Sequence, residues 1–305
     1  MPRTVLVAGA SGFVGTPLCR ALVAEGYDVR ALTRQPESYD GAGQAYAGDV
    51  SDPATLAEAM AGVEAAYYLV HSLDSADFVE QDAVGARNFA AAAGAAGVSQ
   101  IIYLGGLGRD SDELSPHLRS RRQVEHLLGQ TGVPVTTLRA AVVVGHGGIS
   151  WEITRQLVDH LPVMITPSWV DTRTHPIAIV DVVRYLVGVL GQQAALGRTF
   201  EVGGADILRY YDMMERAAAV QGKSLRRLRV PLLTPRLSSY WLTFVTDVDL
   251  ATARNLIDSM TNEMVATENS IAAVVPGAPL GYDDAVRQAL AQRAAALAAP
   301  TPAPR

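Results

Sequence analysis

Cysteine is nearly missing from this chain: one residue in 305, Cys19. A disulfide framework is therefore excluded, and a reducing, cytoplasmic setting is expected. Excess positive charge is missing too. Lys and Arg number 25 against 31 Asp and Glu, a net charge of −6, where a nucleic-acid surface asks for a basic balance. The one local cluster, Arg119-Ser120-Arg121-Arg122, reads as a solvated helix face. No apolar run of about 18 residues is present to span a bilayer, and the first residues run into a core strand with no signal-peptide pattern. Neither membrane nor nucleic acid is an expected partner. No His, Cys, Asp and Glu residues fall at metal-ligand spacing, so no metal is expected, and there is no Gly-x-Ser-x-Gly nucleophile turn. No internal repeat is visible.

Glycine, by contrast, is placed where chemistry needs it. A β-branched run over residues 4–8 leads into Gly9-Ala10-Ser11-Gly12-Phe13-Val14-Gly15, which is a dinucleotide-binding opening. Gly9 leaves the strand in a tight turn, Gly12 lets backbone approach a pyrophosphate, and Gly15 lets helix pack on strand. The backbone of Ser11, Phe13 and Val14 completes the turn, and the N–H groups that begin the helix face the phosphates. Helical periodicity follows (Phe13, Val14, Leu18, Ala21, Leu22), with Cys19 on the apolar face, Gly26 at the C-terminal cap and a second strand over 28–33. That strand ends in Thr33-Arg34, where NAD binders usually carry an acid for the ribose hydroxyls. NADP(H) is the expected cofactor, with Thr33 and Arg34 at its 2′-phosphate.

Strands and helices then alternate. Strands are expected over 46–50, 65–70, 100–106, 134–144 and 200–204, and helices from Asp52-Pro53, over 76–96, 116–130, 151–160 and 179–190, with 161–173 irregular. This is an α/β, doubly wound parallel Rossmann sheet. Ligands in such sheets bind at the carboxyl ends of the strands, which brings Asp49, Val50, Val70, His71, Gly105 and Ala140 to the cofactor crevice. Residues 1–204 form the dinucleotide-binding domain, with a substrate-lobe insertion near 146–176. Residues 205–292, including 210–220, 225–230 and the Trp241 region, form a small C-terminal substrate lobe. The Pro/Ala-rich tail, 293–305, is expected to be disordered. Trp151, Trp169, Tyr210, Tyr211 and Trp241 are candidates to shape a pocket or to fill the core.

Together, the glycine turn, Gly48-Asp49-Val50, the 101–106 strand, Leu138-Arg139, Pro176-Ile177-Ala178-Ile179-Val180-Asp181-Val182 and the late 200–204 strand resemble an extended or atypical short-chain dehydrogenase/reductase. The resemblance spans residues 3–290. Within it, Tyr67-Tyr68-Leu69-Val70-His71-Ser72 and Leu104-Gly105-Gly106-Leu107-Gly108 resemble the NmrA-like and complex I accessory-subunit-like branch. The resemblance implies a Tyr-x-x-x-Lys pair and a serine at the fifth strand's end. Here His117 falls at the tyrosine position, Arg121 at the lysine position, and Gly105 and Gly106 at the serine.

His117 is then either a general acid facing the nicotinamide or a solvent-facing histidine at a helix start. Arg121 keeps the lysine's charge and either bonds ribose hydroxyls or lies on the surface. His71, at a strand end, is the other candidate catalytic residue. His146 is weaker, His175 settles a turn, and His126 and His160 read as helix-surface residues. The expected function is an NADPH-dependent reductase of a small carbonyl or conjugated enone. The alternative is a redox sensor or assembly protein that binds NADP(H) without turnover. A homo-oligomer is left open.

Overall fold

In the first strand, β1 (Thr4–Ala8), Val5 and Val7 belong to one buried cluster and Leu6 and Ala8 to another. Successive side chains of a strand point to opposite faces, and both faces are covered here. The computed structural model describes residues 3–72, 75, 77–160, 163–166, 168–229, 246 and 250–298. It continues with α1 (Gly15–Ala24), β2 (Asp28–Thr33), β3 (Gln44–Ala47), α2 (Pro53–Met60), β4 (Ala65–Tyr68), α3 (Phe78–Ala96), β5 (Gln100–Gly106), α4 (Pro116–Leu128) and β6 (Val135–Ala140). Six of these strands and Thr199–Val202 form a seven-stranded sheet in which every pairing is parallel. The order is β3-β2-β1-β4-β5-β6 and then Thr199–Val202.

Helices cover both faces. α1 and α6 (Ile179–Gly188) bury Leu18, Cys19, Leu22, Val182 and Leu186 against one, and α2, α3 and α4 bury Leu56, Phe89, Val124 and Leu128 against the other. The expected doubly wound sheet is thus the fold. Its strand order reverses beside β1, so the exits of β1 and β4 flank the crevice where ligands of such sheets bind.

A third core sits beyond the sheet. α5 (Ile149–His160) and α7 (Tyr210–Val220) pack with the helices Leu250–Met260 and Tyr282–Ala298 around Trp151, Leu157, Met213, Leu256 and Val286. Trp151 and Tyr211 are core residues here. The side chain of Trp169, Trp241 and Val230 lie outside the described residues.

The differences from the sequence reading have local causes. The strand expected over 134–144 is two: β6 ends at Ala140, and β7 (Val143–Val144) leaves the sheet to pair with Ile177–Ala178. Ala140 O accepts from Leu107 N at 2.8 Å and Val142 O from Ile177 N at 2.9 Å, so the chain turns between them. The third strand is Gln44–Ala47 because Gly48 N closes onto Thr33 O and Asp49 begins a turn. Nor does the tail begin at 293: the last helix continues to Ala298, through a run of alanine, the best helix former. Residues 299–305 lie outside the described residues. Among the described residues no helix is long and apolar enough to cross a membrane.

The sheet's tightest approach is α1 on β1. A Cβ built on Gly15 stands 2.0 Å from Gly9 O and 2.8 Å from Ala10 Cα. Gly15→Ala is therefore expected to force helix from strand at about 1–3 kcal/mol. Thermal unfolding of the cofactor-free protein checks this; an unchanged Tm contradicts it.

Candidate cofactor and substrate site

The turn after β1 is shaped by its glycines. Gly9 has φ +84°, which only glycine adopts readily, and an added Cβ meets Leu69 O at 3.0 Å. Gly12 N closes the turn on Gly9 O at 3.0 Å, and Thr16 N follows onto Gly12 O at 3.0 Å. Phe13 N and Val14 N have no backbone acceptor among the described residues, so they are donors at a helix N-terminus. Ser11 and Gly12 are exposed, and a Cβ on Gly12 meets only Gly9 O, at 3.2 Å. This turn fits a diphosphate. The Phe13 ring lies where side chains on Gly145 and Gly148 would clash with it.

On the far side of β1 stand Thr33, Arg34, Asp49 and Val50. Thr33 Oγ1 accepts from Gln35 N at 3.2 Å, while the exposed Arg34 guanidinium has no ion pair among the described residues. Asp49 turns back on its own loop, accepting at 2.8 Å from Ser51 N and from Ser51 Oγ. Val50 packs at Gly85, and its carbonyl accepts from Asn88 Nδ2 at 3.0 Å.

The arginine cluster of α4 is not a solvated face. β5 leaves the sheet through carbonyls that need donors, and α4 supplies them: Arg121 Nη2 donates to Leu104 O, Arg122 Nη1 to Gly106 O at 2.7 Å, and Arg122 Nη2 to Gly108 O at 2.6 Å. Gly106 lets the helix come that close, since a Cβ there meets Leu118 at 2.9 Å. Arg121 is 91% buried, with its guanidinium 4.9 Å from the centre of the Tyr103 ring. Its Nη1 has no hydrogen-bond partner among the described residues.

Both candidate histidines are drawn into the same place. The rings of His71 and His117 stack, with centroids 5.0 Å apart. His71 Nδ1 lies 2.7 Å from Asp82 Oδ2; Asp82 also accepts from Ser72 N at 2.9 Å and Ser120 Oγ at 3.2 Å. Burial alone raises the Asp82 carboxyl, but the His71 bond, its charge and the Ser72 N–H together hold it below the usual value. An ionised carboxylate only accepts, so His71 Nδ1 is the donor. His117 lies on α4, capped by Ser115, and its Nδ1 is 2.8 Å from Ser259 Oγ. It does not face solvent. Burial, then the charges of His71 and Arg121, push its pKa down to about 3. Near neutral pH His117 has no imidazolium proton to donate.

A cavity of about 190 Å³ joins these groups, lined by His71, Gly105, Gly106, His117, Arg121 and Ala140, with Tyr210 and Met260 from the third core. Asp82 and Ser259 are absent from the sequence reading. Asp82 carries a signal, as the lone acid on the buried stripe Phe78, Asp82, Gly85, Phe89 of a long alanine-rich helix. Ser259 carries none, being 142 residues from His117. His146 bonds Glu152 at 3.2 Å, and His175 bonds Gly204 O at 2.9 Å; neither lines the cavity. His126 and His160 are exposed on their helices.

The family described as NAD(P)H-binding matches residues 9–161. The photosystem II assembly factor Ycf39 of Cyanophora paradoxa is 24% identical, over 75% of this chain and 72% of its own. Sanguinarine reductase of Eschscholzia californica is 27% identical, over 45% of this chain and 68% of its own. The solved structure of NADPH-dependent quinone oxidoreductase from Escherichia coli, complexed with NADPH, superposes with a TM-score of 0.76. It is 18% identical, over 93% of this chain and 98% of that one.

Because a Cβ at Gly12 meets one backbone atom, Gly9 O at 3.2 Å, where Gly15 is hemmed in by three far closer, Gly12→Val separates binding from folding better than any change at Gly15. NAD(P)H affinity is expected to fall by more than about tenfold, the cost of one lost charge-assisted contact, while the Tm without cofactor stays near that of the unmutated protein. Calorimetric titration with unchanged affinity contradicts the phosphate-turn assignment.

Proposed function

Since the chain belongs to the family described as NAD(P)H-binding, we propose that it is an atypical short-chain dehydrogenase/reductase, an NADPH-dependent oxidoreductase reducing a small carbonyl or conjugated enone. The observation that carries this reading is one cavity holding the buried, half-satisfied Arg121 guanidinium and the His71–Asp82 pair beside the strand exits Gly105, Gly106 and Ala140. In this reading residues 1–204 hold the dinucleotide and 205–292 close over the substrate, in a reducing compartment, the cytoplasm. The glycine turn takes the diphosphate, Arg34 the 2′-phosphate, and Arg121 Nη1 the ribose hydroxyls. When bound, the cofactor supplies the hydride.

The chain supplies the rest. Protonated His71, its Nδ1–H on Asp82, offers Nε2–H to the substrate oxygen and gives up that proton as hydride reaches carbon. Neutral His117 does not compete for this role. A second reading, binding without turnover, is favoured by the likeness to an assembly factor over three quarters of the chain.

Two measurements test the proposal. An arginine–phosphate contact is worth about 1.5–3 kcal/mol, so Arg34→Ala should weaken NADPH roughly ten- to a hundredfold and leave NADH nearly unchanged. Equal calorimetric affinities for the two cofactors in the unmutated protein contradict the NADP assignment. NADPH oxidation across aldehydes, ketones, quinones and enones should be detectable, and reduced on the order of 10²–10⁴ by His71→Phe. Binding with no oxidation anywhere in the panel supports the second reading.

A further inference from the structure

The hydrogen bonds around Ser259 decide which nitrogen of His117 carries the proton. Ser259 Oγ makes three contacts: Asn255 O at 2.8 Å, His117 Nδ1 at 2.8 Å and Ser115 Oγ at 3.1 Å. A carbonyl oxygen brings no proton, so the single Ser259 hydroxyl proton must lie on Asn255 O; otherwise two oxygen lone pairs face each other at 2.8 Å. His117 Nδ1 then donates to Ser259 Oγ, and Ser115 Oγ does the same. Only this assignment puts a proton in all three contacts. A neutral ring with hydrogen on Nδ1 has a lone pair on Nε2. That nitrogen has no protein partner among the described residues, and the half-buried ring lines the cavity.

We propose that His117 Nε2 is a fixed hydrogen-bond acceptor that selects substrates carrying a hydroxyl close to the reducible carbonyl. The inference rests on the cavity being the substrate site, as read above. The two stacked rings divide the work: His71 serves the carbonyl oxygen and His117 a neighbouring hydroxyl, 5.0 Å apart at their centroids. Much of the remaining wall is apolar, from Leu104, Val142, Leu256, Met260 and Met264, with the hydroxyl-bearing Ser150 and Tyr210 also on it; of these groups it is His117 Nε2 that carries no proton and can only accept. Ser259 is a positioning residue, acting through His117 by holding the ring's tautomer.

Three ligands of similar size separate the outcomes: acetophenone, 2-hydroxyacetophenone and 2-methoxyacetophenone, the last keeping the oxygen without its proton. Affinity is measured by calorimetry on NADP⁺-loaded protein, and kcat/KM by NADPH oxidation. A hydrogen bond worth about 0.5–1.5 kcal/mol predicts the hydroxy ligand binding some two- to tenfold tighter than the methoxy one. His117→Phe should bring that ratio to about one, and Ser259→Ala, which frees the tautomer, should lower it. All three ligands binding with no preference in the unmutated protein overturns the acceptor role alone, as does a preference that survives His117→Phe. None binding to loaded protein overturns the substrate-site reading and this inference with it.

Discussion

The whole arrangement depends on how closely α1 approaches β1. With Gly15 against the Gly9 carbonyl, the helix begins directly over the strand's exit, and its first donors are aimed at the crevice rather than at solvent. Every other binding group is positioned relative to that point. β2 and β3 carry Thr33, Arg34 and Asp49 to one side, and β4, β5 and β6 carry His71, Gly105, Gly106 and Ala140 to the other. In the proposed reading a dinucleotide spans the two, from the exposed glycine turn and Arg34 to the buried cavity of His71 and Arg121.

The buried end concentrates polar groups that cores normally avoid. Asp82, on the buried face of the alanine-rich α3, is held in its ionised form by three donors, while Arg121 satisfies one carbonyl and leaves Nη1 without a partner among the described residues. Burying an arginine half-satisfied is unfavourable, and such unsatisfied groups concentrate where a ligand completes them. The two histidines divide by environment. His71 Nδ1 has the Asp82 carboxylate at hydrogen-bond distance; His117 has a hydroxyl oxygen, and burial, then the charges of His71 and Arg121, hold its pKa low.

Much of this was legible in the sequence, because it is written in local periodicity. The glycine turn, the strand Gln100–Gly106, the Asp52-Pro53 cap and the helix Phe78–Ala96 follow from residue order alone. What escaped depends on contacts across the fold. Residue order left Arg121 between a ribose contact and the surface and Arg122 on a solvated face, because their acceptors are carbonyls at and just past the end of β5, and carbonyls leave no mark in sequence. Ser259 is one serine among many until the helix bearing it docks on α4. His117 stayed open between a general acid and a solvent-facing residue for the same reason: the helix that buries it lies far along the chain.

Everything proposed for the site requires the nicotinamide to enter the cavity of His71, His117 and Arg121. A crystal structure of the chain with NADP⁺ and 2-hydroxyacetophenone tests this most directly. Nicotinamide C4 is expected within about 3.5 Å of the carbonyl carbon, a near-attack separation, with the carbonyl oxygen on His71 and the hydroxyl on His117 Nε2. A nicotinamide directed away from this cavity, with the ligand bound elsewhere, would contradict it.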